Sequence, residues 1–429
     1  MKDIDRYRGC LLGGAAGDAL GYAVEFLDDA AIFSRYGEKG ITEYTLRNGV
    51  AEISDDTQMT LFTATGLLLA TTRGMTRGIM GTYPSYINFS YKDWYRTQTE
   101  RYPLPEEYHY SWLVNLPEMF SCRAPGNTCL SAIENPAYGT IEEPINRSKG
   151  CGGVMRVAPI GLYFEGKRYS LDEIDKIGAE TAALTHGHSL GYIPAAALVH
   201  IIHLIAHSDE ISMYDAVEDM KRAIDHQFEN DKHLDELLKL IDKAIELSKD
   251  ENIDDLEAIR ELGQGWVAEE TLAISIYCSL KYSNDFDKAL IASVNHSGDS
   301  DSTGAVTGNI VGAYLGLKGK DIIPMPDDFD IENYTKEVFF MFSGEKVLVD
   351  LRCDNSLMKT MVDRFGEDVT TLAYDMTSFR VQTEVSASPT FFGWVFGFNG
   401  KVQILAPESL KEQYKQMLTK ATEDMKEFE

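Results

Sequence analysis

The sequence predicts a mainly α-helical protein that ends in a small α/β domain, and three observations lead there. From residue 4 to residue 317, apolar positions recur with helical period over 6–20, 57–71, 172–184, 193–206, 213–230, 234–249, 269–280 and 302–317, while strand-like alternation is scarce. After a Pro- and Asp-rich stretch at 322–331, the pattern switches to alternating runs at 346–352, 379–384 and 401–405, with helical patterns at 355–365 and 408–417. Glycine recurs every four residues at Gly9, Gly13, Gly17 and Gly21, and again at Gly304, Gly308, Gly312 and Gly316. The expected organisation is a large all-α domain over residues 1–320, a linker over 321–344 and a small α/β domain over 345–429.

The first and last helices of the large domain carry the two glycine sets. Four-residue spacing places each set on one helical face, where missing side chains let backbones approach. An interior glycine costs up to about 1 kcal/mol relative to alanine, so close packing at the centre of the bundle is expected to offset it. Arg6, Arg8, Asp18 and Asn309 favour a buried pair in a soluble bundle over a membrane dimerisation face. The next helix, 57–71, is introduced by Ser54, Asp55 and Asp56. The Tyr-rich region 83–110 has no clear period and reads as a long loop or irregular insertion. Segments 172–184 and 193–206 are joined by the polar turn Thr185-His186-Gly187-His188-Ser189. Segments 213–230, 234–249 and 269–280 follow, and the last helix is introduced by the acidic run around Asp299 and Asp301.

A chain of 429 residues has room for two or three folded units at roughly 100–200 residues each. With 44% hydrophobic and 25% charged residues, its composition argues against extensive disorder. The net charge of −28 repels phosphate backbones and anionic lipid, which disfavours general nucleic-acid or membrane-surface binding. Bound divalent cations can still invert that sign locally. Six scattered cysteines without a CxxC pair predict reduced thiols, no structural disulfide and a cytoplasmic location. The opening MKDIDRYRGC lacks the basic-then-apolar pattern of a signal peptide. The longest apolar run, 198–206, is broken by His200 and His203, so no membrane span is expected.

Ser54-Asp55-Asp56-Thr57 and His296-Ser297-Gly298-Asp299-Ser300-Asp301-Ser302-Thr303-Gly304 both stand at loop-to-helix junctions. Helix capping accounts for either run alone, because Ser, Asp and Thr accept hydrogen bonds from free N–H groups. Together they point further, since carboxylates this close repel unless exposed or neutralised by cations. Hard cations such as Mg²⁺ take carboxylate and hydroxyl oxygens, so a metal site shared by the two segments is the sharper expectation. A two-metal site would need bridging carboxylates of this kind.

Histidine and cysteine offer no comparable site. His200, His203 and His207 share one face of an apolar helix, but no acidic or Cys partner stands at ligand spacing, which disfavours zinc. His186 and His188 fit a binding loop and simple turn chemistry about equally. The run 148–153, Ser-Lys-Gly-Cys-Gly-Gly, reads as a flexible loop whose amides could cradle an anion, without the Walker spacing. Cys151 has no base nearby in sequence and reads as a loop residue rather than a nucleophile.

In order, Gly17-Asp18-Ala19-Leu20-Gly21 with Glu25, Ser54-Asp55-Asp56-Thr57, Gly152-Gly153-Val154-Met155-Arg156, Thr185-His186 and Gly298-Asp299-Ser300-Asp301-Ser302 resemble the ADP-ribosylglycohydrolase family, which includes the dinitrogenase reductase-activating glycohydrolases. The resemblance covers residues 4–318. It implies an orthogonal all-α fold with two Mg²⁺ ions, Mn²⁺ being a substitute, in a cleft. The implied reaction is hydrolysis of the bond between ADP-ribose and an acceptor such as an arginine or serine side chain, on a protein or a small molecule. It further implies Ser54, Asp55, Asp56, Asp299, Asp301 and Ser302 as metal ligands, and Glu25, Asp55 and Asp301 as the catalytic acids. Gly152, Gly153 and His186 fall where relatives contact ADP-ribose, and Asp18 reads as a structural support. Two positions depart from the family pattern: Ser302 replaces the usual Thr and keeps the oxygen donor, and Cys151 in the loop bears on acceptor specificity.

Val347-Leu348-Val349-Asp350-Leu351-Arg352, Asp363-Arg364-Phe365-Gly366-Glu367-Asp368, the run 391–398 and Val402-Gln403-Ile404-Leu405-Ala406-Pro407-Glu408 resemble the C-terminal extension domain of WYL-type bacterial regulators. That resemblance implies a sensing, regulatory or dimer contact through 345–429; a packing appendage is the plainer alternative. Two readings compete with the hydrolase. One is a non-catalytic ADP-ribose or nucleotide sensor signalling through the C-terminal domain. The other is a Mg²⁺-dependent phosphoesterase, which would release AMP or phosphate rather than intact ADP-ribose.

Overall fold

The computed structural model describes residues 4–78, 81–105, 109–164, 168–208, 210–317, 346–365 and 369–426, so the expected linker at 321–344 and the Pro- and Asp-rich stretch lie outside the described residues. The chain divides into two units, Met1–Ile323 and Pro324–Glu429. The first runs through α1 (Ile4–Gly21), α2 (Asp29–Tyr36), the short antiparallel pair β1 (Leu46–Arg47) and β2 (Val50–Ala51), α3 (Asp55–Arg77), α4 (Tyr83–Thr99), α5 (Asn127–Glu134) and α6 (Ala158–Tyr163). It continues with α7 (Leu171–Ala183), α8 (Ser189–His207), α9 (Met213–Gln227), α10 (Leu234–Ser248), α11 (Asp255–Leu262), α12 (Ala268–Lys281), α13 (Phe286–Val294) and α14 (Ser300–Leu315).

The two glycine-striped helices, α1 and α14, lie antiparallel and backbone to backbone. A Cβ added to Gly9, Gly13, Gly17 or Gly21 would collide with the carbonyl of Gly312, Gly308, Gly304 or Ser300 respectively. No larger residue fits this register. Asn309 reinforces the pair, its Nδ2 donating to the Cys10 carbonyl at 2.8 Å. The packing presses the C-terminal end of α1 against the N-terminal end of α14. Beside them lies α8, buried from Ser189 through Ile202. It is long and apolar enough by composition to cross a membrane, but here it is a core helix.

The region read from sequence as a loop, 83–110, is largely the helix α4. Thr82 caps it by accepting from Ser85 N at 3.4 Å, and Pro84 sits in its first turn, where a missing N–H costs nothing. Its buried face holds a single aliphatic side chain, Ile87, among Tyr86, Asn88, Ser90, Tyr91, Asp93, Trp94 and Thr97, so no apolar period stands out. Those polar atoms are satisfied inside: Tyr91 and Thr63 hydroxyls lie 2.6 Å apart, Ser90 and Thr65 hydroxyls 2.8 Å, and Trp94 Nε1 donates to Gln58 Oε1 at 3.1 Å.

The second unit holds β3 (Lys346–Asp354), α15 (Met358–Phe365), β4 (Thr370–Asp375), β5 (Ser378–Ser386), α16 (Pro389–Gly397), β6 (Val402–Ala406) and α17 (Glu408–Lys426). Its antiparallel sheet has the order β4-β5-β3-β6, with Val349 opposite Thr383 and Leu351 opposite Val381. Val349, Leu351, Val381, Phe391, Phe392 and Leu410 form its core. Two of its elements have no sequence period: β4 is an almost wholly exposed edge, and α16 is apolar on every side.

Candidate functional site

The ends of α1, α3 and α14 bring the predicted acids together. Ser54 is the N-cap of α3, its Oγ accepting from Asp56 N at 3.1 Å. Asp18, near the end of α1, holds that junction: one oxygen accepts from Ser54 N at 2.8 Å, and the other accepts from Thr57 N at 3.0 Å and from the Thr57 hydroxyl. Asp299 caps α14, and the Asp301 carboxylate accepts from Ser302 N at 2.9 Å. The turn before α14 needs Gly298, whose φ is +155° and whose added Cβ would collide with the Gln264 carbonyl. Asp299 N donates to that same carbonyl at 2.8 Å, which ties the turn to the segment ahead of α12. Glu25 follows α1 in a turn closed by Val24 N on the Gly21 carbonyl at 2.8 Å.

Glu25, Asp55, Asp56, Asp299 and Asp301 are all buried, the most exposed of them, Glu25, at 6%. Among the described residues none of them forms an ion pair with a lysine or arginine. Burial first, and then the charges of Asp301, Asp299 and Asp55, push Glu25 up to about 10. Asp55, Asp56 and Asp299 are raised by burial and then by Asp301; Asp301 itself is raised by burial. Asp18 rises to about 7 from burial and then Asp301. Asp56 Oδ2 and Glu25 Oε2 are buried without a hydrogen-bond partner. Orphaned oxygens, clustered carboxylates and the Ser54 and Ser302 hydroxyls make a donor set that suits a hard divalent cation. Among the described residues, no three His, Cys, Asp or Glu side chains already stand closed around one point as ligands.

The 148–153 loop is pinned, not free. Cys151 N donates to the Trp266 carbonyl at 3.2 Å, Ala268 N to the Lys149 carbonyl at 2.9 Å, and Lys149 pairs with Glu269. Gly152 and Gly153 are buried in a tight turn at Cys151–Gly153. A Cβ on Gly152 would lie 2.7 Å from Cys129 Sγ and 3.0 Å from His186 Cε1, so the loop backbone rests against the His186 ring. Cys151, read from sequence as a plain loop residue, donates its thiol hydrogen to Asp299 Oδ2 at 2.7 Å. Burial and then the charges of Asp299 and Asp56 push this thiol well up. Nothing along the chain links positions 151 and 299, so sequence spacing carried no sign of the contact.

His186 is buried, with Nδ1 2.8 Å from Thr185 Oγ1, and burial followed by the nearby Arg156 charge pushes it down to about 3. His188 is separate in role: it caps α8, Nδ1 accepting from Leu190 N at 3.1 Å. His200 does have acidic partners, Asp175 at 2.7 Å and Asp219 at 3.1 Å, brought in by α7 and α9. They occupy both ring nitrogens. His203 instead faces the Gly161 carbonyl at 3.1 Å, so the three histidines of α8 do not converge on one ligand. At the edge of the acidic cluster, Phe26 and Trp266 lie near-parallel with ring centres 6.4 Å apart, a pair with no period or motif to signal it.

Comparison with known proteins identifies the two parts of the chain. The ADP-ribosylglycohydrolase family profile matches residues 1–329, and that of the WCX domain matches residues 345–422. ADP-ribosylhydrolase ARH3 of Mus musculus is 25% identical over 355 residues, covering 74% of this chain and 85% of that protein. ADP-ribosyl-[dinitrogen reductase] glycohydrolase of Rhodospirillum rubrum is 26% identical over 317 residues, covering 73% of this chain and 86% of that protein. With the family profile spanning well over half of its residues, the chain belongs to the ADP-ribosylglycohydrolase family and carries a WCX domain after it.

Proposed function

We propose that the protein hydrolyses the N- or O-glycosidic bond between ADP-ribose and an acceptor, an arginine or serine side chain or a related group, and releases ADP-ribose. The observation that carries this reading is the burial of Glu25, Asp55, Asp56, Asp299 and Asp301 in one cluster without a lysine or arginine partner among the described residues. Ser54, Asp55, Asp56, Asp299, Asp301 and Ser302 would hold two divalent cations, Mg²⁺ with Mn²⁺ as a substitute, which when bound would neutralise the cluster and polarise ribose hydroxyls and water.

The chain supplies the rest. Glu25 offers Oε2, a buried oxygen without a protein partner, as the atom that would take a proton from the attacking water once bound cations offset the neighbouring acid charges that raise this carboxyl. The water oxygen bonds to the anomeric carbon of the ribose, the glycosidic bond breaks with its electron pair on the acceptor, and the acceptor leaves with the proton. Gly152, its bare Cα packed against His186, and Gly153 next to it, packed against Ala182 and the Gly191 carbonyl, would meet the diphosphate of ADP-ribose along the loop backbone. Six unpaired cysteines support a reducing, cytoplasmic location. The WCX domain is read as a sensing or assembly module, its exposed Leu348, Tyr374, Met376 and Phe396 being available to a partner or a second copy.

The test is a panel of arginine- and serine-linked ADP-ribosyl peptides with product identification by mass spectrometry. Intact ADP-ribose from at least one linkage supports the proposal. AMP or phosphate as product moves the protein to the phosphoesterases, and tight ADP-ribose binding without release makes it a sensor.

A further inference from the structure

We propose that Arg156 and Thr185 are positioning residues that fix His186 as the neutral tautomer with its proton on Nε2, so that the ring presents an N–H donor to a phosphate oxygen of ADP-ribose. The ligand named here rests on the function proposed above; the tautomer does not.

Arg156 is fully buried, and among the described residues no carboxylate pairs with it. Its guanidinium lies 4.4 Å from the centre of the Tyr91 ring, a cation–π contact that replaces an acid. Nη2 donates to the Thr181 carbonyl at 3.3 Å and to Thr185 Oγ1 at 2.7 Å. A guanidinium has donors only, so Thr185 Oγ1 is the acceptor in that bond. The hydroxyl has one proton left to place, and His186 Nδ1 lies 2.8 Å away. If the proton points there, Nδ1 is an acceptor, and a neutral imidazole with a bare Nδ1 carries its hydrogen on Nε2.

One other arrangement exists. Thr185 could accept from His186 Nδ1–H and give its own proton to the Cys129 sulfur, which lies within its reach. Sulfur is a weak acceptor beside an imidazole nitrogen, and this sulfur already takes Arg156 Nη1 at 3.5 Å. The first arrangement therefore prevails. A ring that stays uncharged, as burial and the Arg156 charge make it, must use its tautomer rather than a second proton to present a donor.

Nε2 has no hydrogen-bond partner among the described residues. It stands against the glycine loop, where a Cβ on either Gly150 or Gly152 would lie 3.4 Å from it. With the hydrogen on Nε2, an anionic oxygen held by that loop meets a donor. With the opposite tautomer it meets a lone pair and is repelled.

The test uses the full-length, ligand-free protein labelled with ¹⁵N-histidine, the His186 signals being assigned by their loss in His186→Gln. The expected spectrum has a pyrrole-type Nε2 and a pyridine-type Nδ1. Thr185→Val should move His186 toward the Nδ1–H form and weaken ADP-ribose binding about tenfold, whereas Thr185→Ser should keep the tautomer and bind within about twofold of wild type. A pyrrole-type Nδ1 in the wild type overturns the proposal, as does a Thr185→Val protein that keeps both tautomer and affinity. Should Thr185→Val fail to fold, the wild-type and Thr185→Ser spectra decide. Failure of the wild type to bind ADP-ribose would instead count against the proposed function and leave the tautomer readout intact.

Discussion

Asp18 takes the backbone N–H of Ser54 at 2.8 Å, so the first residue of the acidic junction on α3 hangs from the glycine-striped helix α1. The same side chain receives Thr57 N at 3.0 Å, and an amide cannot satisfy all of these donors. Asp18→Asn should therefore turn an NH₂ group toward N–H donors. The expected loss is about 1–3 kcal/mol of stability together with weaker divalent-cation binding. Urea unfolding and calorimetric Mg²⁺ titration check this; unchanged cation affinity would make Asp18 a bystander.

Glu25→Gln should keep the shape of the turn after α1 and remove the proton acceptor. Turnover is expected to fall by roughly 10²–10⁴-fold with ADP-ribose affinity largely retained, as for loss of a general base. Turnover equal to wild type would remove Glu25 from the chemistry.

The cluster sets a pH dependence with a definite sign. Asp18 and Glu25 have folded values of about 7 and about 10, above those of free carboxylates, so the metal-free folded state binds more protons than the unfolded chain over the interval between. Stability in chelator should fall as pH rises from about 5 to about 8, because each group must ionise in a buried, like-charged site. Saturating Mg²⁺ should flatten this fall. Thermal melts across that range, with Mg²⁺ and with chelator, read both curves. A metal-free melting temperature that rises with pH would contradict the account.

Gly17→Ala places a methyl group against the Gly304 carbonyl and should cost roughly 1–3 kcal/mol, as overpacking does. Because α1 and α14 also carry the acids, cation affinity should drop with it. Gly393→Ala meets nothing within 4 Å and sits in a helix, so it should be neutral or mildly stabilising. Denaturant unfolding compares the two.

Thiol labelling separates the cysteines. Cys122 is exposed, whereas Cys151 is held against Asp299 with its thiol pushed up, which keeps it from the reactive thiolate form. Maleimide on the native protein should modify Cys122 first and reach Cys151 only slowly, as peptide mapping would show. Rapid labelling of Cys151 would mean that the thiol is not held by Asp299.

The parts of the site that sequence made legible are those written in short contiguous runs. Ser54 to Asp56 and Asp299 to Ser302 are at once helix caps and acid clusters, and the four-residue glycine spacing in α1 and α14 marks two helix faces that can pack closely. What stayed hidden depends on contacts across the chain. The acids of His200 come from α7 and α9, and the partner of Cys151 lies 148 residues away. Helix α4 escaped for another reason: apart from Ile87 its buried face is mostly tyrosine, tryptophan and polar residues, whose polar atoms bond internally, so burial left no apolar period.

The most direct test of the central claim is the release of ADP-ribose from an ADP-ribosylated peptide by the wild-type protein and by Asp301→Asn, each with Mg²⁺ and with chelator. The account predicts intact ADP-ribose from the wild type with Mg²⁺, none with chelator, recovery when Mg²⁺ is restored, and little or none from Asp301→Asn in any condition. Full activity of Asp301→Asn in chelator would contradict it.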